Sequence, residues 1–271
     1  FPATANVVED VEATPIFIDV DKDTYNMSVD DLRSKLHDKV KAVIFVDALG
    51  SPSGIDEIKS VCEEFGIPLI EDSACAIGSS VNDIKVGNIA DLTCFSFHPR
   101  KLLTTGEGGA ILTNNPKYAA WLDMKANHGA SGLRGKVFDF IDFGYNYRMS
   151  EIQALMGWKQ VAKLDGITER RNIIADQYAK ALEPLGMKRQ KIAEGVYHNI
   201  QSLIFTVPET VKRDDLIDYL AEYNIESTLG TYCLSGTTFY AKKYNTVQPI
   251  AHWLENHTIT LPCYDGVDVE K

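Results

Sequence analysis

The sequence predicts an α/β fold, a mostly parallel sheet with helices on both faces, followed by a small C-terminal α+β domain. Three observations lead there. Residues 15–72 alternate short, nearly continuous apolar runs with amphipathic ones, the pattern of parallel strands buried on both faces. The 271-residue length suits one large domain or two smaller ones. Beyond residue 186 the order changes to strand, helix, strand, as in an α+β unit.

The elements follow in order. PIFIDV (15–20) is apolar and β-branched and reads as the first strand. Residues 28–38 read as a helix, with Ser28 three positions before Asp31 as an N-terminal cap. KAVIFV (41–46), IPLIED (67–72), LTCFSFH (92–98) and GAILTN (109–114) read as strands. Helices are expected at 54–66, 115–127, 149–165 (Ser150 capping, with Gln153) and 168–186. A strand (199–207), a helix (213–224) and a strand (225–232) complete the pattern. The expected division is 1–165 as the large domain and 166–271 as a linking helix with the small domain.

Composition excludes several classes. A hydrophobic share of 45% with 24% charged residues fits a globular protein with a substantial core. Net charge −11 argues against broad nucleic-acid binding, which needs a basic surface. The five scattered cysteines lack the spacing of metal ligands, so no metal site is expected and free thiols in a reducing cytoplasm are. No apolar run reaches membrane-span length and no signal peptide is recognised.

Two stretches carry chemistry. In IPLIEDSACAIG, Asp72 stands at the carboxyl end of a buried strand, where open α/β sheets build ligand sites. It reads either as the partner of a cationic ring nitrogen or as a cap on the next turn. In FSFHPRKLLTTGEGG, Pro99 stops a strand and Lys101 follows beside a glycine cluster. Lys101 alone reads as a solvated loop lysine, and GEGG as a tight turn. Together, a strand-end Asp, a Lys after an aromatic strand and a hydroxyl five residues before it form a constellation suited to pyridoxal phosphate. Such chemistry needs a Lys amine for the aldehyde, a carboxylate for the ring nitrogen, and hydroxyls and amides for the phosphate. His98 reads as structural, since Lys101 already serves for proton transfer.

The stretches EDSACAIGS, VGNIADLTCFSFHPRKLLTTGEGGAILTN, NHGASG and GYNYRMSEIQALMGWKQVAKLD resemble the DegT/DnrJ-type sugar aminotransferases, pyridoxal-phosphate enzymes of fold type I. The resemblance covers nearly the whole chain and is strongest over 67–165. It implies a cofactor-binding large domain over 1–165. It implies Lys101 as the covalent anchor of the cofactor, Asp72 facing the pyridine nitrogen and Ser96 on the phosphate. Asn146 would reach the phosphate of a neighbouring subunit, which implies a homodimer, and Phe1 falls where the family places an aromatic over the ring. The implied reaction moves an amino group from an amino acid, glutamate, to a nucleotide-linked keto sugar for polysaccharide or antibiotic sugars. Dehydratases of the group carry His at the lysine position, and Lys101 speaks against them.

Three positions depart from the family pattern. Cys75 replaces the Gln or His that contacts the ring hydroxyl, and a thiol is a poorer donor. Asp47 replaces a common His, and Ser235 stands near an expected His. Family members also carry a block before the residues matching FPATANVV and a final helix after LPCYDGVDVEK. The expectation is therefore of a truncated chain, with a non-catalytic relic or binding module of the same fold as the alternative.

Overall fold

Polar groups leaving the carboxyl ends of three parallel strands meet on one rim of this molecule, and the fold is best followed toward that rim. The computed structural model describes residues 1–270. Helix α1 (Ala3–Asp10) comes first, then α2 (Val29–Lys35), capped by the Ser28 side chain accepting from the Asp31 N–H. Strand β1 (Val43–Val46) leads into α3 (Ile55–Phe65), and β2 (Leu69–Asp72) follows. The short strands β3 (Ser80–Val81) and β4 (Ile84–Lys85) precede β5 (Leu92–Ser96) and β6 (Gly109–Leu112). The first sheet runs β1-β2-β5-β6, the first three parallel and β6 antiparallel, so the expected mostly parallel sheet is present. Its register sets Val46 opposite Asp72 and Asp72 opposite Cys94.

The expected strand at 15–20 does not form; only Val20 makes a bridge, to Met27. Side chains take the backbone groups that a sheet would need. The Asp19 N–H donates to the Asp31 carboxylate (2.6 Å), and the Phe17 carbonyl accepts from Lys35 (2.9 Å).

After β6 come α4 (Pro116–Ala126), a hairpin of β7 (Ala130–Arg134) and β8 (Val137–Phe140), and α5 (Glu151–Val161). Ser150 and Gln153 form a reciprocal capping box at the start of α5. The next helix, α6 (Leu164–Leu182), begins earlier than expected because the break falls at 162–163. Then follow β9 (Lys188–Arg189), β10 (Val196–Tyr197), β11 (Leu203–Thr206), α7 (Arg213–Glu222), β12 (Thr228–Leu229), α8 (Thr238–Tyr244), α9 (Pro249–His257) and β13 (Thr258–Leu261). An antiparallel sheet runs β12-β13-β11-β9, while β10 pairs with β3 and joins the two halves of the chain.

Two cores support the sheets. One packs Phe45, Ile55, Ile58, Val61 and Leu69; the other packs Ala175, Ala179, Phe205 and Ile259. Within the second half, the Arg171 guanidinium donates to the carbonyls of Ile200 (2.6 Å), Gln201 (3.1 Å) and Cys263. Beside it, the buried His198 ring sits 3.1 Å from the Leu49 carbonyl. Burial holds the His198 pKa down at about 4, against the partial opposition of that carbonyl.

Phe45→Ala removes a fully buried ring under the rim and is expected to lower unfolding free energy by about 3–5 kcal/mol, read as a fall in the denaturant midpoint. His198 gives a pH signature. The unfolded chain takes up a proton below its ordinary pKa near 6.5, which the folded chain refuses until about pH 4. Stability therefore falls as pH drops through that window. His198→Gln keeps a donor for Leu49, and thermal melts from pH 7 to pH 4 are expected to show a shallower fall than in the parent, by about the slope of one proton.

Candidate functional site

Strand β2 delivers Asp72 to the rim half-buried. One carboxylate oxygen accepts from the Thr4 hydroxyl at the start of α1 (2.6 Å), and the other from the Ala74 N–H (3.2 Å). Asp72 thus caps its own turn and also presents its carboxylate toward α1. The turn carries Cys75 next to it. Asn199 donates its amide to the carbonyls of Cys75 (2.8 Å) and Ile77 (2.9 Å), which fixes this backbone from a segment 124 residues away.

Lys101 reaches the same place from the other side. Pro99 ends the strand run, and the Lys101 N–H turns back onto the His98 carbonyl (2.9 Å). The Lys101 Nζ donates to the Cys75 Sγ at 3.2 Å. Two glutamines hold the loop. Gln201 accepts from the Leu102 N–H and donates to the Arg100 carbonyl, each at 3.0 Å. Gln160 clasps both backbone groups of Thr104, at 3.1 and 2.6 Å. An exposed loop of this length would otherwise leave several amides to water and the lysine free to wander. GEGG does form the turn into β6; a Cβ on Gly109 would lie 2.7 Å from the Phe95 carbonyl, so the close pairing there needs glycine.

The remaining expected residues divide. Phe1 lies near Asp72, Cys75 and Lys101, and is 81% exposed rather than packed in the core. The Ser96 hydroxyl is at the end of β5, half-buried, accepting weakly from the His98 N–H (3.4 Å). Asn146 is not brought to this cluster. It is exposed beyond β8, bridged to Asn127. His98 has a turn role, its Nδ1 accepting from the Arg100 N–H (3.2 Å). Ser235 is buried behind α8, accepting from the Gln248 N–H (3.3 Å). Thr4, Asn199, Gln160 and Gln201 were not foreseen. Only tertiary pairing reveals them; no local spacing marks a glutamine as a loop clamp.

This donor set suits the expected cofactor. A primary amine bonded to the Cys75 thiol stands at the same turn as a half-buried carboxylate served by a hydroxyl and an amide. A flat ring offering an aldehyde to one and a cationic nitrogen to the other meets both needs.

Comparison with known proteins gives the same assignment. The model of the DegT/DnrJ/EryC1/StrS aminotransferase family matches residues 1–271. GDP-perosamine synthase of Escherichia coli O157:H7 is 33% identical over 99% of this chain and 73% of its own length. The structure of the aminotransferase TlmJ from Streptoalloteichus hindustanus superposes with a TM-score of 0.92 at 28% identity, covering all of this chain and 74% of TlmJ. Spr1654 from Streptococcus pneumoniae, in its PLP form, gives a TM-score of 0.91 at 27% identity over all of this chain and 75% of its own. The architecture is therefore that of fold type I, and the chain belongs to the DegT/DnrJ/EryC1/StrS aminotransferase family.

Proposed function

We propose that this chain is a pyridoxal-phosphate-dependent aminotransferase that moves an amino group from an amino acid, glutamate, to a nucleotide-linked keto sugar. The observation that carries this reading is the Lys101 amine held beside Cys75 on the same strand-end rim as the Asp72 carboxylate. Similarity to GDP-perosamine synthase supports the nucleotide-sugar substrate, and similarity to Spr1654 in its PLP form supports the cofactor.

When bound, pyridoxal phosphate supplies a conjugated ring that accepts electrons from the carbon losing its proton. The chain's own residues do the rest. Asp72 holds a proton on the ring nitrogen by opposite charge. Cys75 would serve the ring hydroxyl, Ser96 would hold the phosphate, and Phe1 would cover the cofactor face. Lys101 anchors the cofactor and, once free, carries a proton at Nζ to and from the substrate carbon. Residues 1–165 bind the cofactor and 166–271 supply the linking helix and small domain.

A second copy of the chain completes the assembly. The hairpin and α5 expose Phe138, Tyr147, Ile152 and Trp158, each at least 66% accessible, with the Tyr145 and Tyr147 rings stacked 4.7 Å apart. An apolar surface this dense favours a partner, and Asn146 lies within it, in position to serve a neighbouring site. Among the described residues no helix is long and apolar enough to cross a membrane, and all five cysteines are free, which supports action in the cytoplasm.

Two experiments follow. Pyridoxal phosphate added to the purified chain is expected to give a visible absorption band, and borohydride reduction to leave a single mass-spectrometric adduct on Lys101. Adducts spread over surface lysines would refute the site. Lys101→Ala is expected to abolish that adduct and cut amino transfer by about 10²–10⁴-fold or more. Light scattering is expected to report a dimer for the parent chain and a monomer for Ile152→Asp combined with Trp158→Asp; a monomeric parent would remove the assembly.

A further inference from the structure

Behind Asp72, on the opposite face of the first sheet, lie two carboxyl groups with too few donors. Alternation along β2 turns Glu71 away from Asp72. Register places Phe45 and Thr93 beside Glu71, and the ladder continues past β1 through the Asp47 N–H to the Asp72 carbonyl (3.1 Å). The Asp47 and Glu71 side chains therefore share one buried layer with Ser73 and Thr93, and all four residues are fully buried.

The donors can be counted. Ser73 gives its hydroxyl proton to Asp47 Oδ2 at 2.5 Å, and Thr93 gives its own to Glu71 Oε2 at 2.6 Å. The other two oxygens, Asp47 Oδ1 and Glu71 Oε1, are buried with no donor. Register and the Asp47 N–H bond set the two carboxyls side by side in this layer, and each acts on the other's titration. Two ionised carboxylates here would repel and leave two anionic oxygens bare. A single proton removes both faults, since one carboxyl then donates and the other accepts.

We propose that Asp47 is a positioning residue that stays protonated at neutral pH, donates to Glu71, and so holds the strand end bearing Asp72 with one negative charge behind it. The direction of titration agrees. Burial, then the Glu71 charge, raises Asp47 well above the carboxylate range, while the Ser73 hydroxyl opposes this and Asp72 adds to it. Glu71 is raised less strongly, by burial, against the opposing Thr93 hydroxyl. The charges that act on Asp47 are thus the carboxylates of Glu71, in its own layer, and of Asp72, across the sheet, both negative.

Position matters as much as charge. Asp47 holds the Asp72 carbonyl through its backbone and Ser73 through its carboxyl, so the chain leaving Asp72 is tied at two points. The single negative charge behind Asp72 reinforces its hold on a cationic ring nitrogen, a consequence that rests on the cofactor reading above.

Infrared spectroscopy of the full chain without added cofactor tests the shared proton. The stretch of a protonated carboxyl is expected at neutral pH, retained in Asp72→Asn and lost in Asp47→Asn. Its absence from the parent overturns the proposal. Stability gives a second readout. A carboxyl that keeps its proton only when folded makes stability fall as pH rises above the ordinary carboxyl range. Asp47→Asn supplies the same donor without titrating, so its melting temperature is expected to match the parent near about pH 4 and exceed it increasingly toward neutrality. Asp47→Asn is also expected to keep the Lys101 adduct and its visible band, where Asp47→Ala loses them. An Asn variant as damaged as the Ala variant overturns the proposal. Should the parent form no adduct, the cofactor reading fails while the infrared band still decides the proton.

Discussion

The parallel register of three short strands governs everything at the rim. Val46, Asp72 and Cys94 stand level across β1, β2 and β5, so three chain segments leave the sheet together. That common exit brings Asp47 against Asp72 and Ser73, and the Lys101 loop against Cys75. A slip of one residue in β2 would exchange Asp72 with Glu71 and turn the site inside out. Four or five residues per strand suffice because α3 and the Phe45–Leu69 core hold the sheet from one side.

Around this rim the structure spends its polar side chains on backbone. Asn199, Gln201 and Gln160 together serve six backbone groups of the two active loops. Such bonds add only modest stability each, but leaving a buried amide unpaired is expensive, so they specify geometry more than they add free energy. A net charge of −11 is no obstacle to an anionic ligand here, because the local field at Lys101 is set by neighbours a few ångströms away.

Local pattern made much of this legible. The strands at 41–46, 67–72 and 92–98, the helix at 54–66 and the Ser28 and Ser150 caps are encoded within a dozen residues each, and each formed with slightly shorter bounds. Asp72, Cys75 and Lys101 were found because motif order survives in sequence even when the contact spans 26 residues. PIFIDV failed because its apolar run says nothing of who takes its amides; Asp31 and Lys35 did. The hairpin at 130–140 was missed because ASGLRGKVFDF shows no clean alternation, being exposed on both faces. The Asp47–Glu71 pair is invisible in one dimension, since two strands must first be aligned.

The clamp on the lysine loop has a consequence for how the molecule comes into being. Gln201 bonds to Leu102 across 99 positions of chain. During synthesis at about 5–20 residues per second, Lys101 leaves the ribosome seconds before its clamp is made. Until then the loop that carries Lys101 is unfastened. The second half of the chain acts on the first as a late-arriving latch.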